Sequence, residues 1–404
     1  MSASKEPSRL RFARTSAEDS DILTIKDLAA IGAKRVPQIY NEYFSGGAGE
    51  EATSVRDNVD AFARYKLRPR VLKDVGDVDL TWSLFDIKTA GPLGFSPSAA
   101  HKLAHPDGEV ATSRAAAANG VPMALSCYSS TSLEDVIAQG TGNPYIMQMT
   151  LFKDLSVSEM IIKRAEAAGY KALFVSVDLP ILGTRLQEHR SKFEFPPHVT
   201  FPNLQDPKGE REVTLDDLDY NPRITWEKEI AWLRARTKMQ IWLKGIYTSD
   251  DVELAIRYNL DGVIISNHGG RQLDGVPSTL DALRECAAVG GGRIPIGFDG
   301  GIRHGSDIFK AIALGADFCF LGRVCVWGLA VRDIQSQQFP FCASRRFANL
   351  DFTQYKGEEG VDFAVKLLLK ELKQTMMLCG CRTIKDIKAS HLSVLLPSGV
   401  LSRL

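Results

Sequence analysis

Asp261-Gly-Val-Ile-Ile-Ser-Asn-His-Gly-Gly-Arg-Gln-Leu-Asp-Gly275 passes from an apolar segment straight into a polar loop. Val263 to Ile265 is rich in β-branched residues and bounded by turn formers, which reads as a buried strand. At Ser266 the polarity jumps, and Gly269 and Gly270 free the backbone to take conformations that other residues avoid. His268 and Arg271 stand three residues apart on this loop and can face one small ligand together. A histidine exchanges a proton near neutral pH, and an arginine forks onto a carboxylate. Taken alone, such a pair reads as readily as a loop histidine beside a solvated arginine, so its meaning depends on the rest of the chain.

Seven further apolar runs share the character of Gly262–Ile265. They lie at 92–95, 121–126, 145–149, 172–177, 240–243, 294–298 and 318–321. Helical periodicity fills most of the intervals, as at 108–119, 156–168, 250–258 and 279–289. Strands alternating with helices imply a parallel sheet, and eight of them predict an α/β fold, a (β/α)8 TIM barrel over about 90–330. Before it, helical patterns at 24–31, 36–44 and 61–65 predict an N-terminal helical segment, and residues 1–22 read as a disordered lead. Residues 23–404 then form a single domain. Residues 194–224 hold five prolines among many charges and predict a mobile lid loop after strand four. Residues 332–356 look like an insertion, and 360–381 predicts a long amphipathic helix packed back on the barrel.

The 404 residues carry 49 basic and 49 acidic side chains. That balance leaves no global field to favour nucleic acid or an anionic membrane. No apolar run approaches the roughly 20 residues of a membrane span. The polar, mixed-charge first twenty residues argue against a secretory signal. The seven cysteines show no metal-ligand spacing, and Cys379-Gly-Cys381 is the only close pair, so they read as reduced thiols in an intracellular protein with no metal site. The final Ser402-Arg403-Leu404 matches the small-basic-leucine pattern of the peroxisomal address.

Barrels build their sites where the strand ends converge. Strand four runs into Ser176-Val-Asp178 and on to Arg185; strand five ends in Lys244-Gly245; strand six ends in Ser266 to Arg271. Asp299-Gly-Gly-Ile-Arg303 follows strand seven, and Gly322-Arg323 follows strand eight. Glycines with arginines after the last two strands are where barrels commonly hold phosphate.

Together with Arg68-Pro-Arg70 and Ala104-His-Pro-Asp-Gly-Glu109, these stretches resemble the FMN-dependent 2-hydroxy acid oxidases and dehydrogenases, the glycolate oxidase family, over about 23–397. The resemblance implies FMN as cofactor and oxidation of an (S)-2-hydroxy acid to the keto acid, with electrons passed to O2 to give H2O2. It makes His268 the base, Asp178 its supporting carboxylate and Lys244 the cation beside the flavin. Arg185 and Arg271 would hold the substrate carboxylate. Ala99, Ser126, Gln148, Ser176, Ser266, Asp299, Gly301, Arg303, Gly322 and Arg323 would contact the cofactor. A homotetramer or larger assembly is implied as well.

Three positions depart from that pattern. Glu42 aligns where the family carries a carboxylate-binding tyrosine, Thr150 stands where a second tyrosine usually follows Gln148, and Tyr128 replaces an aromatic residue, often tryptophan, of the side-chain pocket. Losing two phenols weakens a small acid by roughly 1–3 kcal/mol each if their partner is buried, so the expected substrate is not simple glycolate. Two alternatives remain open in the sequence: a dehydrogenase with a non-oxygen acceptor, and a catalytically silent flavin-binding protein.

Overall fold

Eight short strands close into one all-parallel barrel: β1 (Leu93–Phe95), β2 (Met123–Ser126), β3 (Tyr145–Thr150), β4 (Ala172–Ser176), β5 (Gln240–Ile246), β6 (Gly262–Ile265), β7 (Ile296–Asp299) and β8 (Phe318–Leu321). Strand β8 pairs back onto β1, Phe320 opposite Gly94. This is a computed structural model describing residues 22–331 and 357–404, apart from positions 208, 210–212, 215 and 397. Every strand residue except Gln240 and Gly245 is buried. Helices cover the outside and side chains fill the inside, which is why these segments read as continuous apolar runs rather than as alternation.

The barrel interior is packed solid. Ile146, Phe174, Trp242, Ile264, Phe318 and Phe320 form one cluster, closed by Leu84, Trp82 and Phe85 from the hairpin Trp82–Leu84 with Ile87–Thr89. Phe174 meets Phe320 edge-on at 5.2 Å. With the interior filled, ligand space remains only at the C-terminal ends of the strands.

The helices Gly108–Ala118, Leu155–Ala168, Ser249–Arg257 and Thr279–Gly290 fall within a residue or so of their periodic patterns. Thr248 and Ser278 cap two of them by accepting from the amides of Asp251 and Asp281. The C-terminal helix spans Gly357–Cys379, starting earlier than its sequence pattern and ending two residues sooner. Its buried stripe of Val361, Ala364, Val365, Leu368, Leu372 and Met376 packs on the helices Arg323–Ala330 and Gly305–Ala313. The sequence reading did not anticipate the small antiparallel sheet in which Leu392–Leu395 joins Tyr65–Leu67 to Leu401–Arg403.

The loop after β4 carries the short helix Leu186–Arg190 and then, among the described residues of 194–224, only the single 3-10 turn Asp216–Leu218. Its middle is anchored. Buried Asn203 accepts from the Leu133 amide at 2.8 Å and donates to Ser129 Oγ at 2.6 Å. Residues 1–21 and the expected insertion at 332–356 lie outside the described residues.

Candidate active site

Strand β5 shows how the chain sets its catalytic groups. Its register slips between Lys244 and Ile246, and Gly245 in the bulge has φ 101°. A Cβ there would stand 2.6 Å from the Asp178 side chain. Glycine is therefore what lets Asp178, just past β4, settle against β5. From there Asp178 Oδ2 lies 3.2 Å from His268 Nδ1, and Oδ1 lies 3.4 Å from it. His268 adopts a left-handed φ of 56°, with its N–H bonded to Ser266 Oγ at 3.1 Å.

Burial pushes the His268 pKa below its ordinary value, against the opposing pull of Asp178. Asp178 is raised by burial, but the facing His268 and Lys244 outweigh this and hold it below the usual carboxylate range. The pair is thus a neutral imidazole backed by a carboxylate, an arrangement that accepts a proton and then stabilises the cation formed. Gln272 steadies both loops, donating to the carbonyls of Asp178 and Ile181 at 3.0 and 3.1 Å.

Lys244 is 3% exposed, 3.2 Å from Asp299 Oδ2 and 2.9 Å from Ser266 Oγ. Ser96 also donates to Asp299 Oδ2, at 2.8 Å, while Asp299 Oδ1 is buried with no partner. Gly300 and Gly301 have φ of 111° and 79°, and a Cβ on Gly301 would lie 1.9 Å from the Asn58 carbonyl oxygen. The helix Thr53–Arg64 is pressed that closely because Asn58 exchanges two hydrogen bonds with Asn267, at 2.8 and 3.0 Å. Asn58 completes the site and carries no signature in the sequence.

One cavity joins these groups. Ser126, Gln148, Ser176, Ala99, His268, Arg185, Arg271, Arg303, Gly322 and Arg323 all face it. Five cationic side chains but only two carboxylates, Glu188 and Asp299, line it. Burial lowers Arg323 to about 9 and Arg303 to about 10. Cations so desolvated favour an anion. At this end the helix Arg323–Ala330 begins, with Gly322 offering no side-chain cap, so its first amides can take a phosphate. The unpartnered Asp299 oxygen, the surplus of cations over carboxylates in the lining and the open helix terminus all fit an FMN. Gln148, Ser176 and Lys244 would then hold its ring system, Asp299 its ribityl chain, and Arg303 with Gly322 and Arg323 its phosphate.

Arg271 lies over the Tyr43 ring at 5.1 Å and donates to the Tyr43 carbonyl and to Glu188 Oε1. Arg185 lies 3.7 Å from the same Glu188 oxygen, and its Nε is buried without a partner. Glu188 thus bridges the two arginines. It stands one helical turn beyond Arg185, a spacing that could have exposed it in the sequence.

Two expectations need correction. Glu42 is not in the site: it points away from the cavity and accepts from Gln38 Nε2 at 2.8 Å. Its neighbour Tyr43 lines the cavity instead. Consecutive helical residues lie about 100° apart, so a one-residue error in alignment turned the wrong side chain inward. A phenol from this helix therefore does face the cavity, and only the tyrosine at Thr150 is missing. Ser266 does not line the cavity; it holds Lys244 and the His268 amide from behind. Asp178, also outside the lining, stands behind His268, the place the resemblance gives it.

The chain matches the profile of the FMN-dependent dehydrogenases over residues 32–336 and 350–394. It is 44% identical over 402 residues to the oxidase FUB9 of Fusarium oxysporum f. sp. lycopersici, covering 98% of this chain and 97% of that one. With the glycolate oxidase of Spinacia oleracea it shares 36% identity over 383 residues, 92% of this chain and 96% of the other. Among solved structures, mandelate oxidase with (S)-4-hydroxymandelic acid superposes with a TM-score of 0.79 at 30% identity, covering 95% of this chain and all of that one.

Proposed function

The chain belongs to the FMN-dependent dehydrogenase family and is an FMN-dependent 2-hydroxy acid oxidase, and we propose that it acts on an (S)-2-hydroxy acid bulkier than glycolate, with O2 as acceptor. The observation that carries this reading is the convergence of the His268–Asp178 pair with Arg185 and Arg271 on one cavity. Bound FMN supplies the two-electron sink for oxidation at the substrate's C2.

The chain's own groups do the rest. Arg185 and Arg271 clamp the carboxylate, with Glu188 ceding its place between them. The clamp fixes C2 relative to His268, an orientation effect that lowers the barrier by several kcal/mol. His268 takes the proton released as the alcohol becomes a ketone, and Asp178 stabilises the resulting imidazolium. Lys244, dry and beside Asp299, would hold positive charge against the ring system of a bound FMN and so favour its taking up electrons.

The case for a bulky acid is the wall facing the clamp. Phe193 stacks on Tyr43 at 4.7 Å, and Phe195 meets Tyr43, Phe193 and Phe201 edge-on at 5.4, 5.0 and 4.9 Å. An aromatic wall of this kind rewards an apolar side chain and gives a two-carbon acid nothing to touch. Adding 2-hydroxy acids of increasing size to the oxygen-free holoenzyme and following the visible flavin band tests it. Bleaching by bulky acids and not by glycolate is the expected result. Admitting O2 should restore the band with release of H2O2; a band that returns only with another acceptor would make the protein a dehydrogenase.

Two further parts of the reading concern place and assembly. Ser402-Arg403-Leu404 supports delivery to peroxisomes, although Ser402 and Arg403 pair with Val394 and Ser393 as an edge strand and must peel away to be read. Homotetrameric or larger assembly is supported by exposed Val71, Leu72 and Leu378, which sit together where the Arg70 amide meets the Cys379 carbonyl. Sizing of the purified protein tests it.

A further inference from the structure

The substrate side of the cavity holds polar atoms that neither the carboxylate clamp nor the base employs. Thr150, at the end of β3, is 3% exposed and lines the cavity, and its Oγ1 is buried without a hydrogen-bond partner. Next to its backbone sits the thiol of Cys127, which leads directly into Tyr128. The loop after β4 returns to this spot. The Lys153 amide donates to the Asp219 carbonyl at 2.8 Å, and Phe152 forms an antiparallel bridge with Tyr220. That bridge fixes Tyr220 against the cavity, with its hydroxyl in hydrogen-bonding reach of Tyr128.

Thr150 Oγ1 has no partner of its own, and the two phenols beside it bring hydroxyls that can donate to or accept from a ligand. Rings enclose them: Phe152 and Phe201 meet Tyr128 edge-on at 6.2 and 6.0 Å. Leu179, Phe193 and Phe195 complete an otherwise apolar lining. A largely aromatic wall that presents one unpartnered buried hydroxyl, Thr150 Oγ1, beside two phenols is complementary to a ligand of the same pattern.

We propose that Tyr220, Tyr128 and Thr150 form a polar subsite for the substrate's side chain, selecting a 2-hydroxy acid whose flat apolar group carries one hydroxyl or comparable hydrogen-bonding atom. This deepens the oxidase reading above and rests on it. It also assigns the loop after β4 a recognition role, since Tyr220 is the one member of the subsite that does not come from a barrel strand or its immediate continuation.

The test compares matched acids on the holoenzyme: mandelate with each of its ring-hydroxylated isomers, and 2-hydroxy-3-phenylpropanoate with its isomers. Flavin reduction without oxygen gives rate and affinity for each. The arylacetic acids of the same series lack the 2-hydroxyl and cannot be oxidised, so perturbation of the flavin spectrum reports their binding alone. The expected result is a preference of about tenfold or more for one hydroxylated isomer in both readouts. Tyr220→Phe, and independently Thr150→Val, should bring that ratio to within about twofold of one. No preference in any series, or a ratio untouched by both variants, overturns the subsite. If the arylacetic acids bind with the expected preference but no hydroxy acid bleaches the flavin, the subsite stands and the oxidase reading falls. A protein that binds no acid at all overturns both.

Discussion

At the Arg303–Arg323 end of the cavity every polar group issues from a barrel strand or the first residues beyond it. At the Tyr43–Tyr220 end much of the lining comes from outside the barrel: helix Gln38–Ser45, the Phe193–Phe195 segment and the loop that returns through Tyr220. On the proposed reading the first end would hold the cofactor, a ligand of fixed chemistry, for which rigid strand termini and glycine-controlled backbone suffice. The second would meet the part of the substrate that varies, and it is assembled from loop and helix segments outside the barrel. Chemistry and specificity would then have different structural sources, and substitutions on either side should report that difference.

The largest effect belongs to the junction of the two ends. His268→Gln keeps the shape but removes the base, so kcat should fall roughly a hundredfold to ten-thousandfold, with the flavin spectrum and affinity retained. A loss of FMN along with activity would mean that His268 supports the cofactor end, and the division would break down.

Asp178→Asn sharpens the division through pH. Burial lowers the His268 pKa and Asp178 opposes this. The base works when neutral, so kcat/KM should hold down to below the ordinary histidine value of 6.5 and fall as His268 takes up its proton. Removing the carboxylate removes the opposing pull, so the pKa drops further and the acid limb moves to lower pH. The plateau should fall about ten- to a hundredfold as the imidazolium loses its charged partner. An acid limb that moves to higher pH instead would mean that Asp178 does not act on His268 by charge.

Arg303→Leu addresses the cofactor end alone. The half-buried Arg303 guanidinium stacks on Trp327 at 4.7 Å and donates to the Ile302 carbonyl, while the Arg303 amide donates to Asp307 Oδ2 at 2.9 Å. Its loss should weaken FMN about tenfold to a hundredfold by fluorescence titration and leave the ranking of hydroxy acids as it was. A changed ranking would show that the two ends are coupled.

How much of this was legible follows the same line. The barrel strands announced themselves because burial on both faces makes each a short apolar run, and their ends carry His268, Lys244, Asp299 and Arg323 at fixed distances from those runs. The cofactor end could thus be read by counting along the chain. Tyr43 could not, because its role depends on helix phase, and one residue of misalignment put Glu42 in its place. Asn58 and Tyr220 were invisible for a different reason: each reaches the site through a long-range contact, Asn58 with Asn267 and Tyr220 with Phe152, that no local pattern encodes. The final sheet of Tyr65–Leu67, Leu392–Leu395 and Leu401–Arg403 escaped in the same way.

The smallest predicted effect is also the most discriminating, since it sets neighbours on one helix against each other. Tyr43 is buried against the stacked Phe193 ring with Arg271 5.1 Å over its own ring, and burial pushes its hydroxyl pKa up, so it faces the cavity as a neutral donor. Tyr43→Phe keeps the stacking and removes one hydrogen bond, which is worth about 0.5–1.5 kcal/mol and lowers kcat/KM roughly two- to tenfold. Glu42→Gln changes a side chain that bonds only Gln38 on the outer face, and surface changes of that kind stay within about 0.5 kcal/mol. Steady-state kinetics on the two variants, with one preferred acid, should separate them. An effect at Glu42 with none at Tyr43 would mean that helix Gln38–Ser45 turns its other face to the substrate. The substrate end of the cavity would then have to be rebuilt from that helix outward.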